Sequence, residues 1–515
     1  MSDRIRVEDV PERFNVTEYF LDHAEDHRVA LIDDGEAVFY GELKAVTNQV
    51  GHALRHMGVR RGDRVLLALN DGVEFVASWF AAQKIGAVTA EIYSFLHPKD
   101  FRYYLDYVSP AVVVVDASTV DKMREAGAKN LLVAGVAAED LRDEECAFDE
   151  MAADWPAELE PVATRSDEET IWKFTSGSSG APKACPHPTR SPLLNYDWFA
   201  RGVLDIGPDD VVLAVPKLFF GYARDMVALY PFRVGATGII FNERTTVEKI
   251  FELVARHKPT ILVNVPTMMS AMVAHPDAAK QDFSSLRACL SAGEGLPPDL
   301  HRRWNEVFGV EVIDCLGSAE GYHAYLSNQP GQIRSGSLGR LVPGYQASLV
   351  DDSGEPVPDG EIGRLELVGP TSAKEYRGAP EKTAETFVAE NTIRFGDLFE
   401  RDAEGYFYYR GRADDLLKIR GVWVAPAEVE NSLQAHPAVV SCAVVGYEEE
   451  GLTKLRAYVI TSEPLEAGDL RDFAKANLSP HKRPHDFRFV DVIPKTPSGK
   501  LDRRALRGER KPLDV

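Results

Sequence analysis

Between Val211 and Phe308 the sequence alternates two hydrophobic patterns. VVLAVP (211–216), TGIIF (237–241), TILVNVP (260–266) and LRACLSAG (286–293) are short, mainly apolar runs, most of them closed by Pro or Gly, as strands buried on both faces are. Helical periodicity fills the gaps. Thr245 and Glu248 stand at capping-box spacing, and Val247, Ile250, Phe251 and Val254 follow on one helical face. Leu300, Trp304, Val307 and Phe308 repeat that face behind Pro297 and Pro298. Such alternation predicts an α/β fold of layered, mostly parallel sheets with helices. Ligands of such sheets sit in loops at the carboxyl ends of the strands.

A chain of 515 residues has room for two or more domains and at least one large core. No run approaches the roughly 18 apolar residues that span a bilayer. MSDRIRVEDV lacks the apolar stretch of a signal peptide, so a cytoplasmic protein without a membrane partner is expected. Five scattered cysteines offer neither a CxxC metal pattern nor a disulfide framework. The formal charge of -22 disfavours a nucleic-acid partner, which needs a broad basic face. It also repels small anions, so any phosphate site must be built from local cations or a metal, within the roughly 8 to 10 Å that salt leaves unscreened.

The acidic, Ala-rich stretch from Ala137 to Pro161 reads as a surface connection. Near the end, EGYFYYRGRADDLLKIRG (404–421) passes from an aromatic strand into a charged segment. Beyond it, Ala427–Ala435 and Asp469–Leu478 read as helices, and Val439–Val445 with Leu455–Ile460 as a strand pair. A large domain over 1–413 and a small mobile α+β domain over 414–515 follow, with a hinge or linker near Arg412 to Asp415.

TSGSSGAPK (175–183) joins two glycines, Gly177 and Gly180, to the hydroxyls of Thr175, Ser176, Ser178 and Ser179 and to the cation Lys183. Glycines let backbone N–H groups face a ligand, and hydroxyls and a lysine suit phosphate oxygens; the same residues also make ordinary surface turns. The spacing is not GxxxxGK[ST]. Neither GxSxG nor GxGxxG occurs. Kinase-type P-loop, nucleophile-elbow and dinucleotide-fold readings are thereby weakened.

Six segments in order, TSGSSGAPK, SAGEGLP (291–297), CLGSAEG (315–321), FGDL (395–398), YRGRADDLLKIRG (409–421) and PKTPSGKLDR (494–503), resemble the adenylate-forming superfamily of acyl-CoA ligases, nonribosomal adenylation domains and luciferases. The resemblance covers roughly residues 30 to 510. KLFFGY (217–222), ADDLLKIRGVWVAPAEVE (413–430) and LGSAEGYH are most similar to the benzoate-CoA ligase branch. The resemblance implies that a carboxylic acid attacks the α-phosphate of ATP, and that coenzyme A then displaces AMP from the acyl-adenylate. Positioning and compensating positive charge carry such chemistry.

By the same resemblance, Glu320 binds magnesium and Lys500 reaches the α-phosphate. The nucleotide falls to the glycine-rich loop (Thr175, Ser176, Gly177, Ser178, Ser179, Gly180 and Lys183), to the adenine shelf Gly293, Glu294 and Gly295, and to Asp314, Ser318, Ala319, Asp397, Tyr409 and Arg412. Phe220, Gly221, Tyr222, Gly317, Gly321, Tyr322 and His323 surround the acyl group, the two glycines 317 and 321 leaving room for more than a bare benzene. Arg224 and Asp225, where that branch is more apolar, point to a polar substituent on the acid. Asp414 matches the hinge, Gly421 and Trp423 the pantetheine passage, and Arg420 either coenzyme A phosphates or solvent.

The chain departs from the family at three places. Ala319 replaces a threonine whose hydroxyl contacts the α-phosphate, Phe395 replaces a small hydroxyl residue before Gly396 and Asp397, and Ser and Ala184 alter the glycine loop. A lost charged hydrogen bond costs about 1.5 to 3 kcal/mol. Three readings stay open: a full ligase for an aromatic or bulky cyclic acid, as secondary metabolism uses; an enzyme that only transfers an acyl-adenylate made by a separate adenylating enzyme; and a ligase that loads a carrier protein in trans. A homodimer is compatible with all three.

Overall fold

The computed structural model describes residues 4–175, 181–419, 422–449, 452–496 and 501–508. Six parallel strands, Val29–Asp33, Thr237–Ile240, Val211–Ala214, Ile261–Asn264, Ala288–Ser291 and Val312–Gly317, lie side by side in that order at the heart of a nine-stranded sheet. Glu36–Phe39 on one edge, and Ala324–Ser327 with Arg340–Leu341 on the other, run antiparallel. Val212, Val263, Leu290 and Ile313 enter one core; Leu213, Leu262, Cys289 and Val312 enter another. Successive side chains of a strand point to opposite faces, so burial on both faces gives the continuous apolar runs of the sequence.

Helices Val247–His257 and Pro298–Phe308 cover the second face with Ile250, Phe251, Val254, Leu300 and Trp304. The cap of the first differs from the sequence expectation by one residue. Thr246 is the N-cap and accepts from the Lys249 amide at 3.2 Å, whereas the Thr245 hydroxyl donates to the Val215 carbonyl at 3.0 Å. A strand-end carbonyl has claimed the first threonine, and the second is left to cap.

A seven-stranded sheet runs Lys183–Pro188, Glu169–Thr175, Val88–Glu91, Arg64–Ala68, Val112–Asp116, Leu131–Ala134 and Glu145–Ala147, parallel except for the first pair. Helix Val73–Lys84 is buried from Phe75 to Lys84 and shares a core with residues of both large sheets. Its Lys84 ends on Asp22 at 3.0 Å and Asn48 at 2.6 Å, so the buried cation is paired. The acidic stretch 137–161 is more than a connection: it supplies the edge strand Glu145–Ala147 and helix Phe148–Ala153.

Strands Gln346–Val350, Ile362–Val368, Thr392–Arg401, Phe387–Ala389 and Phe407–Arg412 make a third, antiparallel sheet. After the 3-10 turn Ala413–Asp415 comes the smaller C-terminal domain. Its helices Pro426–Gln434 and Ala467–Asn477 pack on strands Val439–Glu449, Leu452–Thr461 and Asp486–Phe489. It has a core of its own, including Ile419, Val429, Leu433, Val444, Val459 and Leu470. The third strand, Asp486–Phe489, lies beyond the strand pair that the sequence pattern marks.

Candidate active site

Thr175 and Lys183 face each other across the antiparallel pair Glu169–Thr175 and Lys183–Pro188. The glycine-rich segment therefore leaves and re-enters one hairpin; Ser176, Gly177, Ser178, Ser179 and Gly180 lie outside the described residues. Gly293 follows the carboxyl end of strand Ala288–Ser291 with φ +86°, a conformation that glycine adopts without strain. A Cβ on Gly295 would touch the Tyr409 ring at 4.0 Å, and the Tyr409 hydroxyl donates to Asp397 Oδ1 at 3.3 Å. Arg412 is the register partner of Asp397, with Nε 3.9 Å from Oδ1. The antiparallel sheet thus sets Asp397, Tyr409 and Arg412 against the 293–295 turn.

Asp314 lies beside Ser291 in the parallel ladder and is buried. Burial pushes its carboxyl up to about 8, against smaller help from the Ser291 hydroxyl and the Cys315 amide. Its Oδ1 has no hydrogen-bond partner among the described residues. An exocyclic amino group is the kind of donor that such an atom lacks.

The turn Ser318–Gly321 is pinned on every side. Ser318 Oγ accepts from the Gly321 amide at 3.1 Å, Thr371 Oγ1 donates to the Gly321 carbonyl at 2.9 Å, and the Ala373 amide donates to the Glu320 carbonyl at 2.9 Å. His187 faces the carbonyls of Ala319 at 2.6 Å and Thr371 at 2.9 Å. Burial lowers its pKa to about 4, so the neutral ring donates to one of the two. Tyr376 Oη donates to Glu320 Oε1 at 2.6 Å, and burial, then the Glu320 charge, keeps that phenol protonated. No group of three metal-type side chains occurs among the described residues. Glu320 is therefore in no three-ligand protein cluster among the described residues, and its carboxylate suits a hard cation whose remaining ligands come from outside the protein.

Phe220, Gly221 and Tyr222 start helix Gly221–Ala228, and Tyr222 packs on His323 with ring centroids 5.8 Å apart. Phe199 and Tyr230 complete the surround of His323 at 5.5 and 5.4 Å, and Tyr93 packs on Phe220 at 5.0 Å. Behind this wall lie four charged side chains. Lys173 Nζ donates to Asp225 Oδ2 and to the Tyr322 carbonyl, each at 2.7 Å, and sits 3.7 Å from the Tyr322 ring centroid. Arg224 binds Asp225 Oδ1 at 2.6 Å and also Glu91. Burial would raise the Asp225 pKa, but Arg224 and Lys173 outweigh it and hold it at about 2; burial lowers Lys173 to about 8.

Two expectations change here. Asp225 and Arg224 are consumed within this neutral quartet and do not offer free charge to a substituent. Gly317 and Gly321 are small for packing: a Cβ on Gly317 would lie 2.7 Å from the His323 carbonyl oxygen, and one on Gly321 3.0 Å from the Tyr325 ring. Tyr322 takes φ +84° in the same turn. Phe395 is buried and stacks on Tyr325 at 5.5 Å, so the aromatic ring belongs to the core. Lys173, Glu91, His187 and Tyr376 were not singled out by sequence. The sign for the first two was a charge inside an apolar run, TIWKFT and AVTAEIY.

Lys500, Arg420 and Gly421 lie outside the described residues. Asp414 is in the turn Ala413–Asp415, and Trp423 pairs with Lys418 in the hairpin Leu417–Ile419 with Val422–Val424. The Lys495 ammonium, just before PSGK, donates to Thr267 Oγ1 at 2.9 Å, and that hydroxyl donates to Glu294 at 2.7 Å. The tail segment thus reaches the 293–295 shelf.

A family model described as AMP-binding enzyme matches residues 21–377, and one described as AMP-binding enzyme C-terminal domain matches 428–500. The chain is 38% identical to the benzoate–CoA ligase of Thauera aromatica, over 97% of this chain and 96% of that one. It is 34% identical to a 4-hydroxybenzoate–CoA/benzoate–CoA ligase of Rhodopseudomonas palustris, over 93% and 90%. Among solved structures, the anthranilate CoA ligase AuaEII in complex with anthranoyl-AMP superposes with TM-score 0.93 at 32% identity, covering 98% of this chain and 99% of that one. A benzoate CoA ligase from Burkholderia xenovorans LB400 gives 0.88 at 35%, covering 96% and 100%. The chain belongs to the AMP-binding enzyme family.

Proposed function

We propose that this protein is an AMP-forming acid–thiol ligase that converts an aromatic carboxylic acid to its coenzyme A thioester through an acyl-adenylate. The observation that carries the reading is that one ten-residue segment, 314–323, joins a nucleotide-type acceptor, a phosphate-side carboxylate and an aromatic wall. Asp314 Oδ1 lacks a donor at one end, Glu320 is held by Tyr376 in the middle, and His323 stands among Phe199, Tyr222 and Tyr230 at the other. Two substrates seated on so short a segment are held close together, which is where most of the rate enhancement of a bimolecular step can come from.

In the first step a carboxylate oxygen bonds to the α-phosphorus of ATP and pyrophosphate leaves. In the second, the coenzyme A sulfur bonds to the acyl carbon, the carbon–oxygen bond breaks and AMP leaves with the oxygen. Asp397, backed by Tyr409 and Arg412, accepts from the ribose hydroxyls; Asp314 accepts from the adenine amino group. Glu320 holds magnesium, which neutralises phosphate charge when bound. Lys500 supplies a cation at the α-phosphate for the first step. Residues 414–515 then turn about Asp414 to bring the 420–423 segment to the pantetheine arm, a step that can limit turnover.

Incubation with a panel of aryl acids, ATP, magnesium and coenzyme A tests this: an aryl-CoA and AMP are expected in equal amounts. Absence of any aryl-CoA with benzoate and its hydroxy and amino derivatives contradicts it. Ala319, which has no hydroxyl to offer the α-phosphate, favours a second reading, transfer from a preformed acyl-adenylate alone. Brisk pyrophosphate release from acid and ATP without coenzyme A excludes that reading. Parallel assays with a carrier protein decide the acceptor.

A further inference from the structure

His323 is 4% exposed, and its two ring nitrogens have different fates. Nε2 faces the Tyr222 carbonyl at 3.4 Å. A carbonyl only accepts, so this nitrogen carries the proton and Nδ1 presents a bare lone pair. Nδ1 has no partner among the described residues. Two neighbouring donors are committed elsewhere: Tyr230 Oη donates to Asn195 at 2.8 Å, and Lys173 Nζ to Asp225 and the Tyr322 carbonyl; the buried hydroxyls of Tyr222 and Tyr322, without partners among the described residues, make no bond to Nδ1. Burial lowers the His323 pKa to about 4, in agreement with a neutral ring. A buried acceptor without a donor is costly, and native structures rarely keep one except where a ligand, an ion or an ordered water completes it.

We propose that His323 Nδ1 accepts a hydrogen bond from a hydroxyl or amino substituent on the acyl ring, so that the preferred acids are donor-bearing aryl acids and not bare benzoate. This rests on the ligase reading above, since it places the acyl group against Tyr222 and His323. The chemistry is directional. A methoxy group at the same ring position puts an acceptor against an acceptor and is rejected, although its size and polarity resemble those of the hydroxyl. The charged quartet behind the wall is neutral in sum and internally satisfied, and Nδ1, which only accepts, discriminates where the unpartnered hydroxyls of Tyr222 and Tyr322 can either donate or accept.

The test uses the full-length protein and non-reactive aryl-sulfamoyl adenosines, with binding read by calorimetry. Benzoyl, the three hydroxybenzoyl, the three aminobenzoyl and the matching methoxybenzoyl analogues are compared. At least one hydroxy or amino isomer is expected to bind about tenfold or more tighter than benzoyl, and its methoxy counterpart weaker than benzoyl. His323→Leu is expected to erase that ratio, and His323→Gln, which retains a carbonyl acceptor, to restore part of it. All isomers binding within about threefold of benzoyl, or a ratio unchanged in His323→Leu, overturns the proposal and assigns Nδ1 to a water. Because binding is read without turnover, failure to form a CoA thioester counts against the ligase reading alone. Absence of binding by every analogue overturns both.

Discussion

Asp314 shows how a single buried side chain ties stability to ligand chemistry. Its carboxyl titrates near 3.8 in the unfolded chain and about 8 in the fold, so between those values the folded state binds more protons. Stability contributed at this site therefore falls as pH rises from about 4 to 8. Asp314→Asn removes the charge: relative to wild type it is expected to gain stability from pH 5 to pH 8, reaching on the order of 1 to 3 kcal/mol, as denaturant midpoints at several pH values will show. A constant difference across that range contradicts the assignment. Asp225 carries the opposite sign, since two cations depend on it. Asp225→Asn leaves Lys173 and Arg224 short of charge and is expected to cost about 3 to 5 kcal/mol, whereas replacing Lys173 by Met together with Asp225 by Leu costs less than the single change. The same denaturation experiment reads both.

At the scale of elements, the strands of the nine-stranded sheet were legible because both of their faces are buried, and so was helix Val247–His257, because its face repeats at helical spacing. The order of motifs along the chain was legible too. What was not legible is what tertiary contact decides. Thr246 caps the helix because the strand-end carbonyl of Val215 has taken Thr245, and no local pattern records that; Thr246→Ala is expected to cost about 1 kcal/mol. Gly317 and Gly321 read as open space but mark close approach, of Gly317 to the His323 backbone and of Gly321 to the Tyr325 ring. Phe395 reads as a lost hydroxyl, yet its ring fills the core against Tyr325. Phe395→Ser is accordingly expected to lose about 3 to 5 kcal/mol by opening a cavity, without restoring a faster first half-reaction. Thermal melts and pyrophosphate release check the two halves of that statement. The quartet of Lys173, Asp225, Arg224 and Glu91 was hidden because its members come from three separate elements.

Across the whole molecule, the large sheets bring the carboxyl ends of their strands to one region, the antiparallel sheet adds Asp397 and Arg412 from the side, and a separately cored C-terminal domain supplies the tail whose Lys495 reaches Thr267. Such an arrangement suits a reaction in which the nucleotide stays on the large domain while different groups approach it. The oxygen that joins acid to phosphate identifies the intermediate. Given an aryl acid labelled with oxygen-18 in both carboxylate oxygens, with ATP, magnesium and coenzyme A, the protein is expected to yield AMP carrying one labelled oxygen and a thioester carrying the other. Unlabelled AMP, or label in pyrophosphate, contradicts acyl-adenylate formation on this chain.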